Sequence, residues 1–202
     1  MFPAYSPLRQ AARCAWMLAV LLLAACQMAI GPLGQRPVAL LGGAIAVAGP
    51  RGYCIDDGAG GQVGDTAVVL MGRCRGALGV APALLTISVG PAGSAGAMAA
   101  GGPALSSYFT SAAGRAALSR DGRAGDVRVI AAVGVGDSLL IHVADRTIGE
   151  YWRALAGLRG RLVTVTANGA PGAPLPPDAS RALVDATLRA LQKANPAVTP
   201  QP

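Results

Sequence analysis

Beyond residue 44, short apolar runs alternate with breaks rich in glycine and proline, the rhythm of strands and turns. Residues 45–48, the Gly49-Pro50 turn and residues 52–55 predict a strand, a turn and a second strand. Residues 58–64 predict a glycine-rich loop, residues 67–71 and 84–89 two more apolar strands, and residues 90–102 a mobile surface loop. Leu105, Tyr108, Phe109, Ala112 and Ala116 then recur at steps of three and four, which puts one apolar stripe on a helix ended near Gly122. Residues 127–133, a turn at 134–137 and the alternation of Leu139, Ile141 and Val143 predict a β-hairpin. Residues 151–158 predict a short helix, and residues 162–167 a β-branched strand stopped by Asn168-Gly169. The last element is a helix from Pro176-Pro177-Asp178 to Asn195-Pro196. It carries Leu183, Val184, Thr187, Leu188 and Leu191 on one face and Arg181, Asp185 and Arg189, four apart, on another. Antiparallel neighbours with segregated helices predict the α+β class: an antiparallel sheet with about two packed helices.

The first 44 residues follow another pattern. Arg9 and Arg13 precede the apolar run 15–25, and no acid occurs before Asp56, the arrangement of an export signal. Leu23-Ala24-Ala25-Cys26 closes that run and resembles the lipobox of bacterial lipoproteins. The resemblance implies that the signal peptide 1–25 is removed and that Cys26 is lipidated as the new N-terminus. Gln27, in place of the aspartate associated with inner-membrane retention, implies the outer membrane, facing the periplasm. An uncleaved anchor over residues 14–31 and a simple secretory signal cut near Ala24-Ala25 are the alternatives, so inner-membrane and soluble periplasmic forms stay open. All three routes export the rest of the chain. Residues 26–44 predict a flexible tether, broken by Gly31-Pro32, Gly34, Pro37 and Gly42-Gly43. Residues 45–195 predict a single domain and residues 196–202 a disordered tail.

Charge narrows the partners. The net charge is +7, and the signal removes two arginines and no acid, leaving +5. The basic residues are scattered along the sequence, and aromatic residues are too few for a base-stacking platform, which argues against nucleic acid. The expected partners are the membrane, through the lipid at Cys26, and an envelope protein. With Cys14 in the signal and Cys26 lipidated, Cys54 and Cys74 remain, and an oxidising compartment predicts a disulfide between them. Closing that loop contributes on the order of 3 kcal/mol.

Candidate chemistry is sparse. Asp56, Asp57 and Asp65 on the glycine-rich loop are the best ligand-binding candidates, but their spacing matches neither an EF-hand nor a calcium nonapeptide repeat. A solvated hairpin turn is the simpler reading. The same loop lacks the Gly-Lys-Ser/Thr ending of a phosphate cradle. His142, the single histidine, alternates with Leu139, Ile141 and Val143 and is flanked by Asp137 and Asp145. It reads as a partly exposed strand histidine, and as a candidate ligand or base only if partners converge on it. No Gly-x-Ser-x-Gly elbow occurs, the stretch around Ser94 missing its first glycine. No catalytic residue, metal site or cofactor is predicted.

Three stretches are distinctive: residues 48–56, residues 114–122, and Trp152-Arg153-Ala154-Leu155 with residues 160–165. Together they resemble a group of small exported bacterial proteins over most of residues 45–194, and the resemblance implies export without a particular activity. Some members of that group carry names implying a cation-transport ATPase, whose Asp-Lys-Thr-Gly motif is missing here. Trp152 and Leu155 read as a core anchor rather than a ligand cage. The order of elements is similar to the layered sandwich of the photosystem protein PsbP and Mog1-like domains. The expectation is a lipid-anchored envelope protein acting as a non-catalytic binding or accessory component. A soluble periplasmic binding protein and a small exported hydrolase using His142 are the rivals.

Overall fold

The computed structural model describes residues 36–196. The expected signal peptide, Cys26, most of the tether and the tail beyond Pro196 lie outside them. A hairpin of β1 (Val38–Leu40) and β2 (Ile45–Val47) leads into a seven-stranded sheet. Its strands are β3 (Tyr53–Val63), β4 (Thr66–Arg73), β5 (Ala83–Val89), β6 (Val127–Val135), β7 (Ser138–Asp145), β8 (Gly149–Leu158) and β9 (Arg161–Gly169). They lie in the order β3-β4-β5-β9-β8-β7-β6, every pair antiparallel. Two meanders, β3–β5 and β6–β9, therefore meet where β5 pairs with β9. The crossover between them holds a 3-10 turn (Ser94–Ala100), α1 (Gly101–Thr110) and α2 (Ala112–Leu118), and α3 (Pro177–Ala194) closes the domain. The class is α+β, as the pattern predicts. Residues 38–40 of the expected tether pair with β2.

Two hydrophobic cores lie on the two faces of the sheet. On one, Val184, Leu188 and Leu191 of α3 pack with Leu85 and Ile87 of β5, Trp152 and Ala154 of β8, and Val163 and Val165 of β9. On the other, Phe109 and Leu118 of the crossover helices pack with Leu139, Ile141 and Val143 of β7 and Tyr151 and Leu155 of β8. The two halves of the predicted anchor thus serve different cores: Trp152 points to α3 and Leu155 to the crossover.

Several local expectations are corrected. Residues 151–158 belong to the interior strand β8, not to a helix. The glycine-rich stretch 58–64 is largely strand, the end of β3, which bulges between Ile55 and Gly60. There Gly60 takes φ +95°, and a Cβ would strike the Val68 carbonyl. Residues 94–100 of the expected mobile loop form the 3-10 turn. The single helix expected between Leu105 and Gly122 is two, broken at Ser111, whose backbone is extended and whose Oγ accepts the Gly114 N–H at 3.1 Å. Gly114 sits so close to Tyr108 and Phe109 that a Cβ would overlap their backbone.

α3 is stitched to the sheet by polar groups as well as by its apolar face. Ser180 is fully buried; its Oγ accepts the Trp152 backbone N–H at 2.9 Å and donates to the Ala167 carbonyl at 2.8 Å. Trp152 and Ala167 are register partners, so the hydroxyl is spliced into the ladder between β8 and β9. At the other end Asn195 accepts the Ala46 N–H at 2.9 Å and donates to the Ala46 carbonyl, tying α3 to β2. Ser180→Ala leaves two buried backbone groups without that partner and is expected to lower unfolding free energy by about 1–3 kcal/mol. Urea denaturation measures this; an unchanged midpoint would show that the two strands close directly on each other.

Cys54 and Cys74 form a disulfide with Cα atoms 5.0 Å apart, joining β3 to the residue after β4. Among the described residues no helix is long and apolar enough to cross a membrane.

Candidate functional site

The four candidate ligand residues do not converge. Asp56 and Asp57 lie in the β3 bulge, where Asp56 Oδ1 accepts the Gly58 N–H at 3.0 Å. His142 lies on β7, five strand places away, roughly 24 Å across the sheet. Asp65, in the β3–β4 turn, is held by other groups. Its Oδ1 accepts from Arg161 Nη2 at 2.6 Å and its Oδ2 from the Ala92 N–H at 2.7 Å. Arg161 is itself buried and also donates to the carbonyls of Asp65 and Gly90. This cluster locks the β3–β4 turn to the start of β9, a structural use that accounts for the carboxylate. Among the described residues no group of three or more His, Cys, Asp or Glu side chains is placed to hold a metal ion.

The Arg161 guanidinium, followed by the Ala92 N–H, holds the Asp65 carboxyl below its ordinary value of 3.8. The folded value is the lower one, so the stabilisation is complete above the ordinary value and is lost as pH falls through the folded one. Asp65→Asn is therefore expected to flatten the loss of thermal stability below about pH 4 and to matter less at neutral pH than removal of Arg161. A Tm-against-pH series measures it; parallel acid limbs for parent and variant would contradict the assignment.

The other concentration of polar side chains lies at the β7–β8 turn and the start of α3. His142 and Trp152 are register partners on neighbouring strands, and their rings stack at 4.7 Å with an interplanar angle of 8°. The Arg181 guanidinium of α3 lies 4.8 Å from the Trp152 ring centre. Arg181 stands four residues before Asp185 on the helix without pairing with it: the ion pairs among the described residues are Arg123 with Asp121 and Asp126, Arg161 with Asp65, and His142 with Glu150. In the last pair His142 Nε2 stands 3.5 Å from Glu150 Oε2, within ion-pair reach but without hydrogen-bond geometry. Asp145 shapes the turn, its Oδ1 accepting the N–H groups of Thr147 and Ile148 at 2.7 and 3.2 Å.

Beside this stack opens a cavity of about 400 Å³, lined by Ile148, Glu150, Asn168, Gly169, Pro174 and Leu175, among others. It exists because β8 and β9 cease to pair beyond Trp152 and Ala167. Glu150 belongs to both features: its carboxylate faces His142, and the residue lines the cavity. Asn168 lines the cavity too, but its Oδ1 is enclosed, with no hydrogen-bond partner among the described residues. One acidic residue therefore borders a space large enough for a small molecule or a short peptide segment, and a carboxylate recognises hydrogen-bond donors.

Sequence reasoning found His142 but missed Glu150, Asn168 and Arg181. Glu150 stands two residues before Trp152, on the same side of a strand, a signal hidden when residues 151–158 are read as helix. Asn168 was absorbed into a strand stop. No protein-family model matches the chain, and neither does any curated protein or solved structure.

Proposed function

We propose that this chain is an exported envelope protein, lipidated at Cys26, whose α+β domain acts by binding or as an accessory component rather than by catalysis. The observation that carries the export half is the Cys54–Cys74 disulfide, since such bonds persist in oxidising compartments. The leading peptide and the Leu23-Ala24-Ala25-Cys26 tetrapeptide support the anchor. The binding half rests on the cavity lined in part by Glu150, whose carboxylate suits a small ligand or peptide segment that carries N–H or O–H donors. The hydrolase reading through His142 draws its support from the Glu150 carboxylate 3.5 Å from Nε2. It needs a hydroxyl or thiol nucleophile as well, whereas among the described residues the ring stacks on Trp152 and faces Glu150.

Growth of the producing cells with a fatty-acid analogue tests the anchor. Wild-type chain is expected to incorporate label and Cys26→Ala to incorporate none; equal incorporation would remove the lipoprotein reading. For the rival, His142→Ala would have to abolish a measured turnover while leaving the fold intact.

A further inference from the structure

Two loops and the point of chain entry come together at one corner of the domain. Val38 pairs with Val47, so the chain enters at Arg36 beside the end of β2 that runs on into the Gly49-Pro50-Arg51-Gly52 turn. The loop after β4, residues 74–82, packs against that turn. The Cys74 N–H donates to the Gly52 carbonyl at 2.8 Å, and the Val80 side chain lies against Gly52. Further ties hold the loop: the Cys54–Cys74 disulfide, Tyr53 Oη donating to the Ala81 carbonyl at 2.8 Å, and Arg73 Nη1 donating to the Val80 carbonyl at 3.3 Å. From this clamped loop Leu78 projects with 94% of its surface exposed. Arg36 at the chain entry, Arg51 in the turn, and Arg73 and Arg75 beside Cys74 belong to the same corner, all exposed, and none is ion-paired among the described residues.

We propose that this corner is a docking surface for an anionic membrane, with Leu78 entering the headgroup region and the arginines meeting lipid phosphates. One exposed leucine alone means nothing. Here it is held out by a stapled loop, its corner carries four arginines outside any ion pair among the described residues, and it lies at the end of the domain where the chain arrives. The proposal rests on the lipid-anchor reading for its geometry. Arg36 is ten residues along from Cys26, so a lipid there keeps the entry point within about 35 Å of the bilayer surface. A chain already tethered needs only weak further contacts to settle in one orientation. Of the other carboxylates at this end, Asp126, Asp145 and Glu150 lie at β6, β7 and β8, at least three strand places from β4, or roughly 14 Å, and Asp178 opens α3, whose Ser180 sits on the β8–β9 ladder two or more places away. Asp56 and Asp57 are nearer, on β3, and set the limit on how far the surface extends along that strand.

The test uses the chain from residue 26 onward carrying Cys26→Ala, which removes the acyl groups and the apolar leading run from every sample. Flotation with phosphatidylglycerol-containing vesicles at low ionic strength is expected to exceed flotation with pure phosphatidylcholine vesicles. Arg51→Gln with Arg75→Gln should weaken binding to the anionic vesicles about 25-fold, from roughly fivefold per arginine. Leu78→Ser should weaken it about tenfold. Arg73 is left in place because it holds Val80, and unchanged thermal unfolding of the variants confirms that the fold is intact. Variants that float as well as the parent would overturn the proposal, as would equal binding to both vesicle types. Failure of the anchor itself reads out separately, as absence of fatty-acid label on the wild-type chain.

Discussion

Trp152→Ala is expected to lower the unfolding free energy by about 3–5 kcal/mol, among the largest effects of any single substitution in the domain. The indole is buried in the core beneath α3, stacks on His142 and carries the Arg181 guanidinium. Removing it leaves a void bordered by the sheet and α3 that neither rigid element can close. Arg181→Ala serves as the comparison. It removes a contact made at the surface, worth about 0.5–1 kcal/mol. Guanidinium denaturation of both variants separates the two roles of the indole. Similar small losses would mean that Trp152 is a ligand platform that the core does without.

The second large effect comes from the disulfide. Cys54→Ala with Cys74→Ala is expected to cost about 3 kcal/mol, because the bridge closes a loop of 20 residues' separation in the unfolded chain. The loss should fall on the β3–β4 side of the sheet, where the bridge also fixes the loop carrying Leu78. Reductant should reproduce it in the parent and leave the double variant unaffected. A parent whose urea midpoint ignores reductant would show that the bond does not form.

The physical reasons for the legible and illegible parts of this chain are specific. α3 was readable because its apolar residues keep a helical period beside a solvated face, and because Pro177 and Asn195 mark its ends. The hairpin β6–β7 was readable from its alternation and its Gly136-Asp137 turn. β8 was not, because it is interior and covered on both faces. Tyr151, Trp152, Leu155 and Leu158 are all buried, which erases the period of two and leaves spacings that imitate a helix. The end of β3 was hidden by glycines, which usually mark loops but here allow a bulge on an edge strand. Among the site residues, His142 was visible as the single histidine. Arg161 was not, since only the fold brings it to Asp65, 96 positions away in sequence. The pairing of Cys54 with Cys74 needed no geometry, because the compartment inferred from the leading peptide left two thiols to account for.

The claim on which compartment, bridge and binding role depend is that the leading peptide is removed and Cys26 acylated. The intact mass of the native protein, extracted from membranes without reductant, tests this directly. The account predicts a chain that starts at Cys26, carries the added mass of acyl groups, and lacks two hydrogens at Cys54 and Cys74. A mass that begins at Met1, without lipid and with free thiols, would contradict it.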